Sequence, residues 1–133
     1  MKKTIWIVAG IFVLLASAVT AADGWVGHSY RVFVASKKPF QMTFTVHNST
    51  TVSIKDNKFG RSSKAEVSNV VVAGDQISFF VKFAGKACGP GSSGTMVVYA
   101  NKRAGKEFGS WQGTCAKHDK KFNANVRELK LVQ

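Results

Sequence analysis

The sequence predicts an all-β fold: a single up-and-down antiparallel barrel of about eight short strands, with a β-sandwich as the alternative, preceded by a cleaved signal peptide. Three observations predict it. Apolar and polar residues alternate with period two through much of the chain, turn-forming residues recur at roughly ten-residue spacing, and no segment carries a sustained helical period. The barrel is preferred because the strands follow one another through short connections, and closure removes the edges that invite aggregation.

The leader comes first. Lys2 and Lys3 form a positive start, Ile5 to Ala16 is an apolar run, and Val19, Thr20 and Ala21 make a small-residue cleavage site. The run falls short of the roughly twenty apolar residues that span a bilayer, and Ser17 and Thr20 interrupt it. A signal peptide is therefore expected rather than an anchor, and no cysteine stands at the cleavage point to carry a lipid. Residues 1–22 are expected to be removed and residues 23–133 to form one soluble β-barrel domain, periplasmic or secreted, in a bacterium.

Ser29 to Ala35 is the first strand candidate. From Phe40, the residues Phe40, Met42, Phe44 and Val46 alternate with Gln41, Thr43, Thr45 and His47, which puts the apolar set on one face of a strand. A turn at Asn48 and Ser49 leads to Val52 and Ile54, completing a hairpin. Asp56 to Lys64 reads as a longer loop, and Ala65 to Val72 as a β-branched strand. Ala73, Gly74, Asp75 and Gln76 provide a tight turn into a strand whose Ile77, Phe79, Val81 and Phe83 face one way, with Phe80 an apolar exception on the other face.

Lys86 to Gly94 is rich in Gly and Ser and holds Pro90, so it is expected to be an ordered loop rather than a central strand. Thr95 to Asn101 and Glu107 to Thr114 are read as strands joined by a turn at Lys102 to Lys106. Phe122 to Val132 is expected to be a closing strand, with a short helix over Asn123 to Lys130 as the alternative. Cys88 and Cys115 make an even pair, and in an oxidising compartment such a pair closes a disulfide. It would tie the glycine-rich loop to the end of the strand carrying Trp111.

Charge narrows the partners. The chain has 19 Lys plus Arg against 7 Asp plus Glu, and loss of Lys2 and Lys3 with the leader leaves 17 against 7, a mature net charge of +10. Such a surface draws polyanions, so the partners to consider are phosphorylated lipid headgroups, lipopolysaccharide, nucleic acid or an acidic protein surface, while the charge also serves solubility. The candidate basic surface comprises Lys37 and Lys38, Lys102, Arg103 and Lys106 in one turn, and Lys117, Lys120 and Lys121 in a following loop. In an up-and-down barrel alternate turns emerge at opposite ends, so these clusters need not form one patch. Trp25, Phe44, Phe79, Tyr99 and Trp111 are the candidate aromatic core or cavity lining.

Several residues carry a likeness to a known group. Trp25 and Gly27 precede the first strand, the Val70 to Phe83 hairpin has its Ala-Gly-Asp turn, and Tyr99 is followed by Gly109, Ser110, Trp111, Gln112 and Gly113. Together they resemble the small lipocalin-like, or calycin-type, antiparallel barrels. That resemblance implies a closed barrel and, as one function, carriage of a small apolar ligand. A second likeness is to the periplasmic eight-stranded inhibitors of c-type lysozyme, carried by Ser93, Gly94, Tyr99, Phe108, Trp111 and Gly113 in that order. It implies an inhibitor that binds an enzyme.

No catalytic constellation is legible. Gly91, Ser92, Ser93 and Gly94 lack the strand-to-helix setting of a nucleophile elbow, and the glycines of Gly89 to Thr95 lack a phosphate-loop lysine. His28, His47 and His118 are scattered, and Glu66, Asp75, Glu107 and Glu128 suggest no acid and base pair. The expectation is a non-enzymatic exported binding protein without metal or cofactor. Its expected partner is a protein or an anionic envelope or host component, with peripheral membrane contact included and nucleic acid not expected.

Overall fold

The computed structural model describes residues 24–55, 65–84 and 88–133. The leader and the Asp56 to Lys64 loop lie outside the described residues. Eight strands form one antiparallel sheet: β1 (Ser29–Val34), β2 (Phe40–Asn48), β3 (Thr51–Lys55), β4 (Glu66–Ala73), β5 (Gln76–Phe83), β6 (Ser92–Arg103), β7 (Glu107–Cys115) and β8 (Lys120–Leu131). A short 3-10 turn, Ala116–His118, links β7 to β8.

The sheet order is β3-β2-β1-β8-β7-β6-β5-β4. Every consecutive pair of strands is hydrogen-bonded except β3 and β4, and the first strand pairs with the last: Tyr30 lies opposite Leu131 and Val32 opposite Leu129. The result is a nearly closed barrel, compatible with a lipocalin-like architecture, whose seam falls between β3 and β4. Half-buried Ile54, Val67, Val70 and Val72 pack against the core there.

Alternation decides which face is inside. On β2, Met42, Phe44 and Val46 are fully buried while Gln41 and His47 are exposed, and on β5 Ile77, Phe79, Val81 and Phe83 point inward as expected. Apolar inside and polar outside is the reverse of a lipid-facing barrel. Two aromatic groups fill the lumen. Phe44 and Phe79 meet at 5.3 Å between ring centroids, with Tyr30 stacked on Phe44 and Trp25 beyond it, while Phe83, Trp111 and Phe122 cluster towards the other end. Each such buried side chain contributes about 1.5–3 kcal/mol.

Two readings of the sequence are corrected. Ser92, Ser93 and Gly94 are not loop but the start of β6, paired with β5 on one side and β7 on the other. The glycine is there for packing: a Cβ on Gly94 would lie 2.5 Å from the Trp111 ring, and Gly113 faces Gly94 across the ladder. Lys102 and Arg103 lie on β6 rather than in the turn. The closing strand expected over Phe122 to Val132 is present as β8, and its helix alternative over Asn123 to Lys130 falls because the backbone there completes ladders to β7 and β1.

The Cys88–Cys115 disulfide is formed, with 4.5 Å between the Cα atoms. Buried Ser92 organises its surroundings. The Ser92 hydroxyl donates towards the carbonyls of Cys88 and Gly89 and accepts from the Ala116 amide at 3.0 Å, and the Lys117 amide donates to the Cys88 carbonyl at 2.7 Å. The crosslink and these bonds fasten the segment before β6 to the turn after β7.

Candidate functional site

Strand direction sorts the loops into two ends. The β1–β2 and β5–β6 connections and the 3-10 turn emerge at the disulfide end. The segment before β1, the β2–β3, β4–β5 and β6–β7 turns, and the residues after β8 emerge at the opposite end, called the Trp25 end.

The expected basic residues are divided accordingly. Lys37, Lys38, Lys117, Lys120 and Lys121 belong to the disulfide end and are all exposed. Lys102, Arg103 and Lys106 belong to the Trp25 end. Among the described residues none of the five cations at the disulfide end is in an ion pair. By contrast Arg103 is engaged: its guanidinium contacts the Asp75 carboxylate at 3.1 Å and lies 3.9 Å over the Tyr99 ring. One of the three cations at the Trp25 end is thus spent on the fold.

The aromatic candidates are likewise separated. Trp25, Phe44, Phe79 and Trp111 are core residues. Tyr99 is buried as well but stands outside that cluster: with Val98 inward, Tyr99 falls on the outer face, where Arg103 covers it. Of the residues that carry the likeness to lysozyme inhibitors, Gly94, Trp111 and Gly113 are engaged in close packing within the sheet and core.

At the Trp25 end the segment before β1 folds across the barrel mouth. The indole Nε1 of Trp25 donates to the Gly74 carbonyl at 3.1 Å, the Tyr30 hydroxyl donates to the Gly24 carbonyl at 3.0 Å, and the Gly27 amide donates to the Val46 carbonyl at 2.7 Å. Burial pushes the Tyr30 hydroxyl pKa up from its ordinary value. Beside this plug lies an open cleft of about 510 Å³ with Tyr30, Asp75, Asn101, Leu129 and Leu131 on its walls. Leu131 is 62 % exposed there, although its register puts it on the inward row.

The histidines sit apart. His28 lies at the Trp25 end with Nδ1 3.2 Å from the Gln133 carbonyl, His47 contacts the Ser53 hydroxyl on the outer face, and His118 is in the 3-10 turn at the other end. Among the described residues no three His, Cys, Asp or Glu side chains converge in a way that would hold a metal ion.

Sequence reading missed one arrangement. Lys55, Thr43, Arg31 and Lys130 form a single cross-strand row on the outer face of β3, β2, β1 and β8. The only signal for it was the β1–β8 pairing, which joins residues about a hundred positions apart and leaves no local trace. No family model, no curated protein and no solved structure matches this chain.

Proposed function

We propose that the chain is a non-enzymatic exported binding protein, periplasmic or secreted, whose disulfide end contacts an anionic component of the cell envelope or of a host. One observation carries this reading. The topology brings Lys37, Lys38, Lys117, Lys120 and Lys121 to the disulfide end, and none of them has a carboxylate partner among the described residues. Uncompensated cations at one end attract an anionic partner, whose charge pairing is set against the cost of ordering the lysine side chains. The disulfide is consistent with an oxidising compartment outside the cytoplasm.

The test is retention on phosphatidylglycerol vesicles against phosphatidylcholine vesicles at low and high salt. Each surface cation contributes about 1 kcal/mol at an anionic membrane, so K117Q/K120Q/K121Q is expected to weaken retention by about two orders of magnitude. Equal retention at both salt concentrations, or on both lipids, overturns the proposal.

A second reading, carriage of a small apolar ligand in the manner of lipocalin-like barrels, draws support from the open cleft with its exposed Leu131. The lumen itself is occupied by Phe44, Phe79, Met42, Ile77 and Met96, so a ligand would sit at the mouth. Native mass spectrometry of protein from its own host would reveal added mass in that case, and L131D would remove it.

A further inference from the structure

We propose that the outer face of β3, β2, β1 and β8 is a second binding surface, fitted to a linear anionic glycan chain. It lies on the side of the barrel and does not rest on the reading of the disulfide end.

The argument starts from a cost. Arg31 lies directly opposite Lys130, and like charges facing each other across a ladder destabilise a sheet. Lys55 continues the same row, two strands further on and across Thr43. All three cations are exposed, and none is in an ion pair among the described residues. Glu128, opposite Phe33 and diagonal to Arg31, is the carboxylate nearest in register, yet it forms no ion pair with the row. A fold that serves only its own stability gains nothing from this placement, whereas an anion lying across the strands converts the repulsion into attraction.

The geometry indicates the shape of that anion. Strands are spaced about 4.8 Å apart, so the cations stand about 5 Å and about 10 Å apart along one line perpendicular to the strands. Parallel to it runs a row of hydroxyls: Ser53, Thr45 and Ser29, with Ser29 Oγ 2.7 Å from Thr45 Oγ1 and His47 Nε2 2.8 Å from Ser53 Oγ. A chain that alternates sulfate or phosphate groups with ring hydroxyls meets both rows at once. A bare phosphate array would use only the first.

The experiment measures binding of the mature chain to heparin, with neutral dextran and phosphatidylglycerol vesicles as the other arms. R31Q/K130Q is expected to weaken heparin binding by at least about tenfold and to reduce the salt slope by about two, through loss of two charge contacts. K82Q/K106Q removes the same charge from exposed positions on β5 and in the β6–β7 turn, outside both surfaces, and is expected to change heparin binding by less than about threefold. T45V/S53A is expected to weaken heparin binding while leaving vesicle retention unchanged, which separates a glycan from a phosphate surface. R31Q/K130Q is also expected to melt at or above the temperature of the parent, since a repulsive pair has been removed. Equal loss of heparin binding in the two charge variants overturns the proposal, as does unchanged binding in R31Q/K130Q. Failure of the vesicle arm alone touches only the disulfide end.

Discussion

Individual side chains show why some assignments were legible and others were not. The inward residues of β2 and β5 could be read directly, because period-two alternation and burial are the same fact seen from sequence and from structure. Gly94 could not, since its requirement comes from Trp111, a residue of the neighbouring strand. Overpacking costs about 1–3 kcal/mol, so G94A should be destabilised by that amount in urea titration, while G105A, in an open turn where only the positive φ is strained, should lose less. Tyr30 supplies a pH prediction. Its pKa is raised in the fold by burial, so its contribution is fully present below the ordinary tyrosine value of about 10 and is lost as pH rises through the folded value. Melting curves between pH 8 and 11 should therefore show the wild type losing stability relative to Y30F at the alkaline end, with no difference in slope near neutrality.

Elements add what single residues conceal. Within β8 the inward side chains are Phe122, Ala124 and Val126, and then Leu129 and Leu131, because the register shifts at the bulge opposite Phe33 and Val34. That shift converts a spacing of two into three, and this is why the segment also read as a short helix. Strand β4 carries a similar bulge at Asn69, whose φ is +52°. The two cysteines, in contrast, were legible, since an even count behind a leader-like segment is enough to expect pairing. Closing a loop with a sequence separation of 27 should contribute about 3.5 kcal/mol on the chain-entropy model. A C88S/C115S variant is expected to lose about that much in urea titration. Its fastest gain in hydrogen exchange should fall at Ser92, Ala116 and Lys117, where the amide and hydroxyl bonds depend on the closed loop.

At the scale of the molecule, the fold class and barrel closure were predictable from strand count and short connections, but the place of the seam was not. Nothing local distinguishes β3 followed by β4 from any other consecutive pair. The structure allows a direct check. His28 and the Gln133 carbonyl lie 3.2 Å apart, so Gln133 and Gly24 can be joined by a short linker and the chain opened between Lys55 and Ala65. The resulting strand order becomes strictly sequential, and the permutant is expected to keep the native circular dichroism spectrum. The separation of cations to opposite ends also has a thermal signature. Salt screens the self-repulsion of a chain with a formal net charge of +12, so the melting temperature should rise between about 10 mM and 150 mM sodium chloride, over which the Debye length falls from about 30 Å to 8 Å.

The pairing of the opening strand with the final one has a bearing on biogenesis. His28 and Gln133 are 105 positions apart, so the cylinder cannot be sealed until β8 has been synthesised, whichever hairpins have formed by then. The opening strand therefore waits with one edge bare until its closing neighbour is made, which puts the latching of the structure among the latest events of folding.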